Sequence, residues 1–144
     1  MLLQLYHHQI PGLVNGGFHW VDNRDVAEGM LLAHTQGQTG RRYILTGEYA
    51  TIPDIAKLVR DITGASTPRL VTPMWLAKLV APLVGIYSNL RGTKPLYTRD
   101  SLAMLCGHQE ITSQRAAEEL GYRPRPIRET LEDTFAWFEA VGRL

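Results

Sequence analysis

The sequence predicts an α/β fold, consisting of the closing strands of a parallel sheet with their helices and then a mostly helical portion. Three observations predict it. Short β-branched or aromatic runs at residues 18–21 and 42–46 flank a stretch with helical start and stop signals, which makes a strand–helix–strand unit. From residue 51 onward helical periodicity dominates, punctuated by Gly and Pro. The 144 residues are 44% apolar and 20% charged, a globular composition of about one domain's length. Two or three strands alone make a poor sheet, because a parallel sheet wants cover on both faces and neighbours at its edges. The pattern reads as the end of a larger α/β protein.

Residues 2–9 read as a short helix, or as the tail of a longer one, that Pro11-Gly12 stops. Asn15-Gly16-Gly17 offers positive-φ turn positions ahead of the strand at 18–21. Asp25 is read as the N-cap of the next helix, with Glu28 completing a capping box. Val26, Ala27, Met30, Leu31 and His34 share its apolar face, and Gly37 closes it. Residues 42–46 (RYILT) are the second strand. Thr51-Ile52-Pro53-Asp54 opens a helix striped by Ile52, Ile55, Ala56, Val59 and Ile62 and ended by Gly64. Thr72-Pro73 opens another, which Pro82 must kink or break. A loop follows over 87–95, then a short helix from Thr98 to Gly107. A helix at 113–120 closes at Gly121, and residues 122–126 are a proline-stiffened connector. The last helix, 127–141, carries Ile127, Leu131, Phe135, Phe138 and Val141 on one side.

Lys plus Arg is 15 and Asp plus Glu is 14, so the chain has no field to gather nucleic acid or anionic lipid. The single cysteine, Cys106, excludes an internal disulfide and makes no zinc site by itself. The N-terminus lacks a basic region and a cleavage site, so no secretory signal is expected. The most apolar stretch, 74–86, contains Lys78 and Pro82 and falls short of the ~20 residues a membrane span needs. A cytoplasmic protein is expected.

Searches for chemistry return little. GxGxxG, GxxGxxG, a P-loop, HExxH, CxxC and GxSxG are all absent from the 144 residues. None of His7, His8, His19, His34 and His108 pair at i,i+4, so no metal site is expected. Tyr87 and Arg91 stand four apart, but Arg cannot replace a lysine that shares protons. Asp22 and Asp25 read as a strand end and a helix cap, with Arg24 paired to one of them. Arg123, Arg125 and Arg128 read as a salt-bridged surface with Glu129, Glu132 and Asp133, with an anion site as the alternative. His19 and Trp20 are adjacent on a strand, so one faces the core and the other a surface or pocket. That pair is the first candidate for ligand contact, against a plain edge-strand reading.

The ordered features resemble one family. FHWVDNRDVAEG at 18–29 resembles the "F-x-[WH]-V-D-V-R-D-V-A-x-G" segment of extended short-chain dehydrogenases/reductases. Those are NAD(P)-dependent epimerases, dehydratases and dihydroflavonol reductase-like enzymes. RRYILTG at 41–47, TIPDIAKLVRDITG at 51–64 and ITSQRAAEELGY at 111–122 resemble three further segments of that family, in its order. Asn23 stands where the family has a branched apolar residue. The resemblance implies a Rossmann-like sheet whose last strands and helices lie in residues 1–64, with a mostly helical substrate-binding subdomain in residues 65–144. It implies NAD or NADP in the parent enzyme and a small-molecule substrate. It also implies a glycine-rich cofactor turn and a catalytic Tyr-x-x-x-Lys, neither of which these residues contain. No catalytic, cofactor-binding or metal residue is therefore assigned. The chain is expected to be inactive alone, since hydride transfer needs a bound nicotinamide and a nearby proton donor. Expected substrate contacts are His19 and Trp20, then Asn89, Arg91, Thr93 and Tyr97 at the rim that the resemblance places there. The alternative is a non-enzymatic binding module that dimerises through a face the parent would cover.

Overall fold

The computed structural model describes residues 1–10, 12–68, 70–73 and 111–144. They fall into two units that interleave along the chain. One draws on Met1–Phe18 and Thr51–His108, the other on His19–Ala50 and Gln109–Leu144. Each is described separately. The α/β class holds, with helices beside a small parallel strand pair.

In the first unit, α1 (Leu2–Tyr6) packs on α3 (Ile52–Thr63), and α3 packs on β1 (Leu13–Val14). Thr51 caps α3. Its hydroxyl accepts from the Asp54 N–H at 3.2 Å, and the Asp54 carboxylate accepts from the Thr51 N–H at 3.1 Å. Two of the helix's orphan donors are thereby satisfied, and Pro53 fits a first turn whose N–H has no partner anyway. Ile52, Ile55, Ala56 and Val59 are buried, as their spacing predicts, while Ile62 is half-buried. Gly64 ends the helix at φ 71°, a left-handed position that glycine takes without strain. β1 runs parallel to β4 (Val71–Thr72), with Leu13 opposite Val71 and Val14 opposite Thr72. Sequence reading missed β4, because two residues carry too little periodicity to register.

In the second unit, α2 (Asn23–Gln36) packs on α4 (Gln114–Leu120). Ala116, Leu120 and Tyr122 form a buried cluster, against which Leu32, Ala33, Tyr43 and Leu45 pack. α5 (Ile127–Ala140) buries Leu131 and Phe135. Its first N–H donates to the Glu48 carboxylate at 3.1 Å, an anion where the helix dipole favours one.

Strands β2 (Gly17–His19) and β3 (Tyr49–Thr51) pair with each other. The Trp20 N–H donates to the Glu48 carbonyl, and the Ile52 N–H to the Gly16 carbonyl, both at 2.8 Å. The partners run in opposite chain order, so this pair is antiparallel. The strand expected at 42–46 is not formed, because no partner lies beside it among the described residues.

Two readings of α2 are corrected. Its N-cap is Asp22, whose carboxylate accepts from the Arg24 N–H at 2.8 Å; Asp25 lies inside the first turn. The predicted apolar face is also turned outward, with Met30 64% and Leu31 66% exposed. The packed face is Asp25, Gly29, Leu32 and Ala33, which shares the same helical spacing. A charge and a glycine in that row hid it from a count of apolar residues.

Candidate functional site

β2 and the segment before β3 bring His19 and Trp20 together with Gly47, Tyr49 and Ala50. His19 Nδ1 lies 3.3 Å from the Gly47 carbonyl. A carbonyl only accepts, so Nδ1 is the donor in this bond. Nε2 is buried with no hydrogen-bond partner. The Tyr49 ring meets the imidazole edge-on, with centroids 5.4 Å apart. The Trp20 indole N–H donates to the Ala50 carbonyl at 3.1 Å, so its polar tip is occupied by backbone. Both residues are half-buried, where the strand argument expected one to face the core and the other to face outward.

Gly47 makes this arrangement possible. A Cβ there would fall 2.2 Å from the Trp20 carbonyl oxygen, inside any real contact. Sequence reading did not assign Gly47 or Tyr49 to the site. The available signal was the glycine directly after an apolar run, where backbone comes close to backbone.

The two aspartates near this site are fully engaged. Asp22 accepts from Arg24 Nε at 3.0 Å and Nη2 at 2.7 Å, and Arg24 also reaches Asp133 at 2.7 Å. The Arg24 hydrogen bonds hold the Asp22 carboxyl down at about 2. Asp25 is 3% exposed and accepts from both the Arg125 backbone N–H (2.9 Å) and Arg125 Nε (2.8 Å). Arg125 thus belongs to a buried pair, whereas Arg128 makes the expected surface bridge, to Glu132 at 3.6 Å. Held this way, the Asp22 carboxyl stays ionised and is a poor proton shuttle at neutral pH.

Asn89, Arg91, Thr93 and Tyr97 lie outside the described residues. Among the described residues no three His, Cys, Asp or Glu side chains are grouped to hold a metal. No described helix is long and apolar enough to cross a membrane.

No protein-family model matches the chain. Individual proteins do. A protein named as a dihydroflavonol 4-reductase from Synechocystis sp. is 32% identical, over 99% of this chain and 43% of its own length. Sterol demethylase protein B of Methylococcus capsulatus is 33% identical, over 99% of this chain and 44% of its own length. Among solved structures, gox2253 is 35% identical with a TM-score of 0.79, covering 100% of this chain and 44% of that one. A nucleoside-diphosphate-sugar epimerase from Pseudomonas aeruginosa is 24% identical with a TM-score of 0.75, covering 99% of this chain and 42% of that one; it shares the fold. The chain spans somewhat under half the length of the curated relatives it matches. Over its whole length the chain is thus similar to part of a protein named as a dihydroflavonol 4-reductase, and it shares the fold of a nucleoside-diphosphate-sugar epimerase.

Proposed function

We propose that these 144 residues are the substrate-side, C-terminal portion of an NAD(P)-dependent oxidoreductase or epimerase, without catalysis of their own. The whole-length match to less than half of each relative carries this reading. The missing glycine-rich turn and Tyr-x-x-x-Lys support it, since hydride transfer needs both a seated nicotinamide and a proton donor. NAD or NADP belongs to the parent enzyme; one fold neighbour, a triphenylmethane reductase from Citrobacter sp., is described in complex with NADP(H).

In this reading His19 and Trp20 contact a small-molecule substrate, together with Asn89, Arg91, Thr93 and Tyr97. The partnerless Nε2 of His19 supports a hydrogen bond to a polar group of the substrate. The setting is cytoplasmic, with no nucleic-acid or membrane partner. A second reading, a binding module that dimerises, draws on the exposed Met30 and Leu31.

Titrating NADPH fluorescence with the purified chain tests the proposal. No enhancement is expected, and saturable micromolar binding would overturn it. Light scattering across a dilution series separates the two readings, because a dimer that persists on dilution favours the second.

A further inference from the structure

We infer that the groove between α3 and β4, within the first unit, receives an extended acidic peptide of a partner protein. The peptide pairs with Val71 as an added strand and sets its carboxylates against Lys57 and Arg60.

The groove holds about 350 Å³ and is lined by apolar Leu13, Ala56 and Val71 and by the cations Lys57 and Arg60, among others. Lys57 and Arg60 stand three apart on α3, so they share one flank of the helix. Lys57 is exposed, and among the described residues it makes no ion pair. Arg60 Nε meets Asp61 only at 3.9 Å, with both side chains partly exposed. Asp54, three residues before Lys57, is committed to the Thr51 cap. No carboxylate lines the groove among the described residues. A groove in the second unit makes the contrast, since there Arg42 and Arg115 are offset by Glu118 and Glu119. The α3 groove therefore joins a positive field to an apolar lining, which selects a ligand that is both anionic and apolar.

The backbone gives that ligand its form. In the β1–β4 ladder the Leu13 N–H donates to the Leu70 carbonyl at 2.9 Å, and the Asn15 N–H to the Thr72 carbonyl at 3.4 Å. Parallel pairing in this register turns the N–H and C=O of Val71 away from β1. Neither bonds to another backbone group among the described residues. Val71 is 41% and Leu70 70% exposed, so this edge is apolar as well as open. One residue of an antiparallel strand exchanges both bonds with Val71, and its side chain falls on the groove face beside that of Val71. Residues two before and two after it share that face. The partner's pattern is thus acid–x–aliphatic–x–acid, with the aliphatic residue opposite Val71.

Fluorescence anisotropy of a labelled GETVTEG peptide with the 144-residue chain tests this. Saturable binding is expected. It should weaken at least about tenfold when both glutamates become lysine, or when the central valine is N-methylated and loses its N–H. K57E/R60E should leave the melting temperature in place, weaken the acidic peptide at least about tenfold and tighten the lysine peptide. K57Q/R60Q adds no acid beside Asp54 and Asp61, and should weaken the acidic peptide in the same direction by less.

Absence of binding by GETVTEG overturns the inference, as does equal binding to the wild-type and both double-variant chains. Equal binding of the N-methylated peptide overturns the added strand. Octanoate held as tightly as the peptide, with the same dependence on Lys57 and Arg60, overturns the peptide in favour of a small acyl anion.

Discussion

At residue 47 the backbone of one segment touches the backbone of another, and only glycine fits. Gly40 is a useful control, since it has φ 80° but open space around its Cβ position. G40A should lose only about 1 kcal/mol, the strain of a left-handed alanine, whereas G47A should lose at least about 2 kcal/mol through the clash with Trp20. Chemical denaturation of the two variants reads the difference directly. Tyr122 makes the opposite case. Its hydroxyl is buried with no hydrogen-bond partner, and burial, then the charges of Asp25 and Glu28, push its ionisation upward, so the phenol stays neutral. Y122F removes an unsatisfied group while keeping the ring on Gly29, and should be neutral or stabilising by up to about 1 kcal/mol by melting temperature. Asp22 gives a pH signature. Its folded value of about 2 lies below its ordinary 3.8, so its contribution is present above pH 4 and lost as pH falls from about 4 to 2. Half-exposed Arg24 is screened by solvent, which keeps the contribution to about 1–2 kcal/mol. D22N should flatten the acid limb of an unfolding titration in that window and leave the rest of the profile in place.

At the scale of elements, α3 and α2 show what the sequence can and cannot say. α3 was legible throughout. Its cap, proline, acid, apolar stripe and closing glycine are local signals, each satisfied within the helix and its own face. T51A should therefore cost about 1 kcal/mol, losing the bond from the Asp54 N–H to the hydroxyl while the backbone N–H of residue 51 still donates to the Asp54 carboxylate, as seen by thermal melting. α2 was legible in extent but not in orientation. The row that packs includes Asp25, whose partner is Arg125, and Gly29, whose missing side chain admits Leu45 and Tyr122. Neither signal is local, so hydrophobic periodicity pointed to Met30 and Leu31 instead. M30K should accordingly cost less than about 0.5 kcal/mol in the isolated chain, while G29A should destabilise through a Cβ 2.7 Å from Leu45. The strand at 42–46 was legible as an alternation, but a strand also needs a partner, and pairing is a property of what lies beside it.

For the whole molecule, the likeness to the matched reductases was legible because several short segments occur in a fixed order, each tied to a turn, cap or strand with a physical reason. The candidate site was legible only in part. Neighbours on a strand announced His19 and Trp20, but the roles of Gly47 and Tyr49 depend on a backbone approach that brings together residues 28 positions apart. The buried Asp25–Arg125 pair joins residues 100 positions apart. During synthesis, at about 5–20 residues per second, the carboxylate waits roughly 5–20 s for its arginine. Until then the second unit cannot close without stranding a charge. A nascent chain halted before Arg125 should hold its first forty-odd upstream residues of that unit unfolded and open to proteases or chaperones, and release beyond that point should seal them.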